Sequence, residues 1–366
     1  MRSRSLAPLC AFAVLGGGCS SGQAEPSATT SRPDVQRMVE YVRSEGAPGV
    51  VWLVHNQPGT WRGATGAAVL KPRRKMRPGE RFRVASVTKT FVATLVLQLV
   101  GEGRLGLNDS VERRLPGVLR QGRRITLRQL LNHTSGLYDY LDDMRAQARL
   151  VGDVRPLETV AIAASRPLRF APGTSWAYSN SGYQVLGLMI ERATGKPLGQ
   201  VLARRIFAPL DLRHTSFEPP PRLPGQVAHG YTSPGGQIPH AGDRPRDVTH
   251  MADDGTWADG AIVSNVDDLA RFYSALLRGK VLRRGLLHEM QRTVPIDFGA
   301  WAGLGLLRTR TPCGFAWGHD GNMPGYLTLV LASKDGSRLV VMAANGDGRR
   351  VGSALDASAR NAYCAS

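Results

Sequence analysis

The chain has 366 residues, 42% of them hydrophobic and 21% charged, with a formal net charge of +18. This composition excludes a wholly disordered or fibrous protein and supplies enough apolar chain for a sizeable core, in one large domain or two lobes. Only six of the 47 basic residues are lysines, and the arginines are scattered without a binding motif, which argues against nucleic acid and for anionic envelope polymers or membrane surfaces.

Residues 1–24 read as an export signal: Arg2 and Arg4 precede the short apolar stretch Leu6 to Leu15, too brief to span a bilayer. Cleavage after Ala24 suits the small-x-small pattern Gly22-Gln23-Ala24. The run Leu15-Gly16-Gly17-Gly18-Cys19 also resembles a bacterial lipoprotein signal with the leucine one place too far upstream. The expected location is therefore secreted or extracytoplasmic, held at the outer face of the cell membrane if Cys19 is lipidated. Residues 25–33 belong to a polar Ser/Thr/Pro stretch that reads as a linker, and 34–366 as the working domain.

In chain order, Val35, Met38, Val39 and Val42 mark an amphipathic helix over 34–45. Gly49 to His55, the turn Asn56-Gln57-Pro58-Gly59 and an extended run to Leu70 read as a hairpin. A strongly apolar helix is predicted from Ser86 to about Val100, ended by Gly101-Glu102-Gly103. Residues 105–250 are helical and loop-rich, with Thr126 capping one helix, Ser181 opening another and Gly195 closing it. A further helix starts at Asn265, with Asp267 and Asp268 in its favourable first turn. Tyr326–Ala332 and Arg338–Ala344 alternate around Lys334-Asp335-Gly336 as a second hairpin, and 351–364 look helical. The pattern predicts an α/β (α+β) fold whose sheet joins N- and C-terminal segments and is flanked by helices, with a mostly helical lobe inserted at roughly 105–250. The cleft between the two is the place for a site.

Cys313 and Cys364 are the two cysteines beyond the signal region, and an even pair in an exported chain suggests a disulfide. No Cys or His cluster has metal-ligand spacing.

Three short motifs carry chemistry. In Ser86-Val87-Thr88-Lys89 the hydroxyl and ammonium share a helix face, and the helix N-terminus favours developing negative charge. Lys89 in an apolar setting is more easily a neutral amine base. A Ser-x-x-Lys tetrad nevertheless occurs by chance about once in a chain this long. Tyr178-Ser179-Asn180 offers a phenol that serves as phenolate or proton relay and an amide that orients a carbonyl, although alone it reads as an N-cap turn. His319-Asp320-Gly321-Asn322 lies at the start of a predicted strand, where Gly321 lets a substrate backbone approach. The backbone N–H groups of Ser86 and Asn322 are candidate oxyanion-hole donors.

The order Ser-x-x-Lys, Tyr-x-Asn, His-x-Gly resembles the penicillin-recognising serine hydrolases related to class C β-lactamases. The chain looks most similar to their soluble serine D-alanyl-D-alanine carboxypeptidase/transpeptidase. The likeness covers 33–364 and includes Ala85 to Phe91, Leu131 to Leu137, Tyr178 to Asn180, Gly318-His319 and Ala332 to Gly336. It implies the β-lactamase/transpeptidase-like fold and a Cys313–Cys364 disulfide. It also implies an acyl-enzyme at Ser86, with Lys89 and Tyr178 sharing the proton work. Asn180 would hold the substrate amide, and His319 would shape the electrostatics around the leaving group. Trp257 would line the cleft, and Arg308 would bind a terminal carboxylate, or Arg310, since this loop is shifted by a residue.

Two departures bear on the substrate. Asp320 stands where the carboxypeptidase has a threonine that touches the peptide's terminal carboxylate, and a carboxylate there repels it unless Asp320 is protonated, turned away or paired with Arg308. Arg145 and Ala148 replace an expected cleft phenylalanine and threonine. The expected activity is a D-alanyl-D-alanine carboxypeptidase on peptidoglycan stem peptides, inhibited covalently by β-lactams, monomeric and needing no cofactor. The alternative is an esterase or D-aminopeptidase with the same site; a β-lactamase or a non-catalytic envelope protein ranks below both.

Overall fold

Gly49–Asn56 (β1) and Gly59–Val69 (β2) form the predicted hairpin in antiparallel register from Gly49↔Gly66 to Asn56↔Gly59. Its Val/Trp/Leu-rich first strand then pairs along its other edge with Leu339–Ala344. In this computed structural model the described residues are 32–146, 154–219, 222–232, 236, 244–250, 255–296 and 299–366. The predicted export signal, Cys19, most of the predicted linker and Ala148 fall outside them, as does the Arg145 side chain.

The remaining strands of the same sheet are Arg74–Lys75 (β3), Val294–Ile296 (β4), Ala300–Ala302 (β5), Leu307–Thr311 (β6), Gly314–Met323 (β7), Tyr326–Ala332 (β8) and Leu339–Ala344 (β9). Their spatial order is β3-β2-β1-β9-β8-β7-β6-β5-β4, antiparallel throughout. N-terminal and C-terminal segments therefore meet at the β1–β9 seam, as the sequence predicts. Residues of β9 are buried on both faces: Val340, Met342 and Ala344 point to one core, Leu339, Val341 and Ala343 to the other.

Each face has its own helical cover. The outer core packs the sheet under Pro33–Ser44 (α1) and Arg349–Cys364 (α6), through Val35, Val39, Leu355 and Ala359 among others. A disulfide joins Cys364, at the end of α6, to Cys313 in the β6–β7 turn. The larger inner core holds Thr88–Gly101 (α2) and Val266–Leu277 (α5) and extends into the inserted lobe, with Leu127–Leu131 (α3) and Asn180–Thr194 (α4). Predicted boundaries hold at the caps: Thr126 and Gln129 form a capping box, Gly195 ends α4 in the left-handed conformation, and Asn265 caps α5. No helix among the described residues is long and apolar enough to cross a membrane.

Two local readings change. The helix predicted from Ser86 begins as a tight 3-10 turn over Ala85–Val87, and α2 proper starts at Thr88. Ala85 sits at φ 49°, a strained conformation for a residue with a Cβ, directly before Ser86. His319 does not lead its strand; it is the sixth residue of the ten-residue β7, because pairing with β6 extends the strand back to Gly314.

Candidate active site

The site lies where the free edge of β7 meets the turn that carries Ser86. β6 pairs with β7 only from Gly318 backward, so their strand pairing ends one residue before His319. Gly321 is required by this junction: a Cβ there would lie 2.2 Å from the carbonyl oxygen of Val84. Its function thus differs from the predicted one, since the strand's close neighbour at Gly321 is the backbone just before Ser86.

Lys89 is fully buried at the base of the site. Its Nζ lies 2.8 Å from Asn180 Oδ1, 2.8 Å from the Asp259 carbonyl oxygen and 3.0 Å from Ser86 Oγ. Two of these partners only accept. A neutral amine therefore spends both hydrogens on Asn180 and Asp259 and turns its lone pair to the Ser86 hydroxyl. Burial lowers the Lys89 pKa to about 8, against the opposing pull of Asp259, Asp139 and Asp320. The predicted helical pairing is thus present in space, with the amine already within proton-transfer distance.

Tyr178 hydrogen-bonds the Ser86 side chain, and burial raises its pKa well above the ordinary phenol value. The phenol stays protonated, so of the two predicted roles the relay fits and the phenolate does not. Its ring is placed by His133, a residue for which the sequence suggested no role. His133 stacks on Tyr178 with centroids 4.3 Å apart, and its Nδ1 accepts from Ser179 N at 3.2 Å. Its carbonyl also accepts from Ala177 N at 3.1 Å. His133 sits at φ 62°, and burial, Lys89 and His319 all push its pKa well down, so the clamp is neutral.

Asn180 is oriented from both ends: Oδ1 accepts from Lys89, and Nδ2 donates to Asp139 Oδ2 at 2.9 Å. Asp139 also accepts from Leu141 N, and its burial raises its pKa. Behind Lys89, the Asp259 carboxylate accepts from Gln184 Nε2 (2.9 Å), Trp257 N (2.9 Å) and the Tyr140 hydroxyl (3.0 Å). These buried acids were also missed, because nothing in local spacing distinguishes Asp139 or Asp259 from surface carboxylates.

His319 is buried beside this network. Its Nδ1 lies 2.6 Å from the Asp320 carbonyl oxygen, an acceptor, so the neutral ring carries its proton on Nδ1. Burial lowers its pKa, so at neutral pH it is not the cation that a lysine would be at this position.

A cavity of about 650 Å³ opens over Ser86 and is walled by Asp139, Tyr178, Asn180, Leu307, Asp320 and Asn322, with Leu141, Trp176 and Ile296 completing it. Arg308 and Trp257 are not among the described wall residues. Strand alternation turns Arg308 away from Leu307, and its guanidinium stacks on Phe315 and Trp301, 3.8 and 5.1 Å from the ring centroids. It forms no ion pair with Asp320, whose side chain is 63% exposed. The carbonyl of Arg310, the other candidate, accepts from Arg360. The Trp257 ring packs edge-on to Phe217 and against Gly187, where a Cβ would meet it at 2.4 Å. No group of His, Cys, Asp and Glu among the described residues is arranged to hold a metal ion.

A serine hydroxyl contacted by a buried low-pKa amine and a protonated phenol, in a two-lobed fold of this topology, defines a serine hydrolase of the acyl-transfer type. The family model for beta-lactamase matches residues 35–364, so the chain belongs to the β-lactamase family. Among solved structures it is similar to a D-stereospecific amidohydrolase from Streptomyces sp., at TM-score 0.80 and 34% identity, covering 89% of this chain and 98% of that one. It is also similar to the D-amino acid amidase from Ochrobactrum anthropi SV3, at TM-score 0.82 and 27% identity over 91% and 97% of the two chains. Penicillin-binding protein 4* of Bacillus subtilis is 28% identical over 292 residues, 76% of this chain but 64% of that protein's length.

Proposed function

We propose that this enzyme is an amidohydrolase for amides or short peptides of D-amino acids with a free ammonium group. The observation that carries this reading is the charge of the cavity wall: its described charged side chains are both acids, Asp139 and Asp320, and Arg308 faces elsewhere. Asp139, deep in the lobe, suits the substrate ammonium, while Asp320 at the strand edge repels a carboxylate on the departing side. The likeness to a D-stereospecific amidohydrolase and a D-amino acid amidase supports the D-configuration.

In this mechanism neutral Lys89 takes the Ser86 proton as Oγ attacks the carbonyl carbon, and the Ser86 and Asn322 N–H groups receive the oxyanion. One Asn180 Nδ2 hydrogen is committed to Asp139, and the other orients the substrate carbonyl. The proton passes through the Tyr178 hydroxyl to the leaving nitrogen as the C–N bond breaks, leaving an ester at Ser86. Water then repeats the sequence in reverse, releasing the acid and restoring the serine.

A D-alanyl-D-alanine carboxypeptidase is the second reading, supported by the match to a penicillin-binding protein. It requires a terminal carboxylate beside Asp320. The two separate in one assay: ammonia release from D-alaninamide and D-alanine release from a diacylated Lys-D-Ala-D-Ala peptide, with Ser86→Ala as control. Ser86-dependent turnover of the amide alone supports the amidohydrolase, and turnover of the peptide alone refutes it in favour of the carboxypeptidase.

A further inference from the structure

A second cavity of about 430 Å³ lies on the outer face of the sheet, between the β6–β8 strands and α6. Gly318, Leu329 and Leu331 form its floor, and Gly352, Leu355 and Asp356 its helical side. Leu307, Asp320 and Asn322 line both this cavity and the one over Ser86. Asp320 and Asn322 lie just past the point where β6 stops pairing with β7, so the two spaces meet around the edge of one strand.

We propose that this second cavity is the subsite for the leaving group, and that it takes an apolar group without a carboxylate: an aryl amine, a branched alkyl amine, or the side chain of a peptide's second residue. The inference rests on the amidohydrolase reading and deepens it. With the ammonium at Asp139 and the carbonyl oxygen at the Ser86 and Asn322 amides, the nitrogen substituent is directed to the β7 edge and around it. The leucines supply apolar contact there. Arg360, the basic side chain among the described lining residues, is committed: Nε donates to Asp356 Oδ2 at 2.7 Å and another guanidinium nitrogen to the Arg310 carbonyl. The Arg360 and Asp356 charges offset each other, and Asp320 disfavours a carboxylate.

Gly352 allows a test that leaves the catalytic groups untouched. It lies within α6, and a Cβ there would meet only Leu327 Cδ1, at an ordinary 3.9 Å. A side chain can thus start from this position without a backbone clash, and Gly352→Phe places a ring at the cavity's helical side. The variant should lose roughly tenfold or more in kcat/KM on D-alanine 2-naphthylamide and stay within about twofold of the parent on D-alaninamide, the scale on which apolar subsites discriminate. Equal activity on both substrates, or an equal loss on both in a variant of unchanged Tm, would overturn the subsite. If the parent hydrolyses no D-aminoacyl amide, the amidohydrolase reading fails by itself. The cavity is then tested with methyl and 2-naphthyl butyrate: selective loss on the naphthyl ester upholds it, and equal rates reject it.

Discussion

Replacing Asp259 with asparagine should move the acid limb of the pH–activity profile to lower pH. The reasoning starts from Lys89, which must be unprotonated to accept the Ser86 proton. With its pKa at about 8, the kcat/KM of the parent enzyme should rise tenfold per pH unit below about pH 8 and level above it. Asp259 is foremost among the acids that hold the ammonium form up against desolvation. The sign follows: removing its charge lowers the Lys89 pKa further, so the limb shifts down and activity at pH 6 rises relative to the plateau. An interaction of roughly 2 kcal/mol is ordinary for two unit charges within one site at an effective dielectric of about 20. At about 1.4 kcal/mol per pKa unit, the displacement is about one to two pH units. Asparagine preserves the shape of the side chain facing Gln184 and Tyr140, so the fold should survive. The assay is acylation by a neutral p-nitrophenyl ester, whose own protonation does not change, from pH 5 to 10. An unmoved limb in a folded variant, or one moved upward, would refute the assignment of Lys89 as the titrating base.

Three further outcomes follow from the same geometry. Gly321→Ala should destabilise the enzyme by about 1–3 kcal/mol and reduce acylation, because the new methyl group collides with the Val84 carbonyl and pushes β7 off the Ser86 turn; thermal unfolding and burst amplitude measure both. Asp320→Thr should improve the kcat/KM for carboxylate-terminated peptides over neutral amides by about fivefold, a modest factor because an exposed charge is worth about 1 kcal/mol. An unchanged ratio of the two would show that Asp320 does not face the leaving group. Replacing Cys313 and Cys364 with serine should cost about 4 kcal/mol by the chain-entropy model for a 51-residue separation, read as a lower urea midpoint.

The readable parts of this protein were those set by local periodicity and by short fixed spacings. The β1–β2 hairpin, the capped helices at Thr126 and Asn265 and the α4 stop at Gly195 all follow from turn and cap chemistry within a few residues. The Ser86–Lys89 contact was legible for the same reason, since i and i+3 face one another on any helix. His319 was misplaced within its strand because the backward extension to Gly314 depends on β6 as a partner. Arg308 failed to reach the cavity because one step in strand phase changes the face of the sheet.

By itself, then, the sequence determined the elements, the union of N- and C-terminal segments in one sheet and the spacing that brings Lys89 to Ser86. Each of these is a matter of neighbours along the chain or of hydrophobic period. Only the tertiary structure decided the protonation states and the charge of the cavity. Lys89 owes its pKa of about 8 to burial among groups 50 to 230 residues away, and Asp139 and Asp259 act on it through space across a low-dielectric interior. Desolvation and Coulomb interaction depend on distance in space, and that distance is fixed when the lobe closes on the sheet.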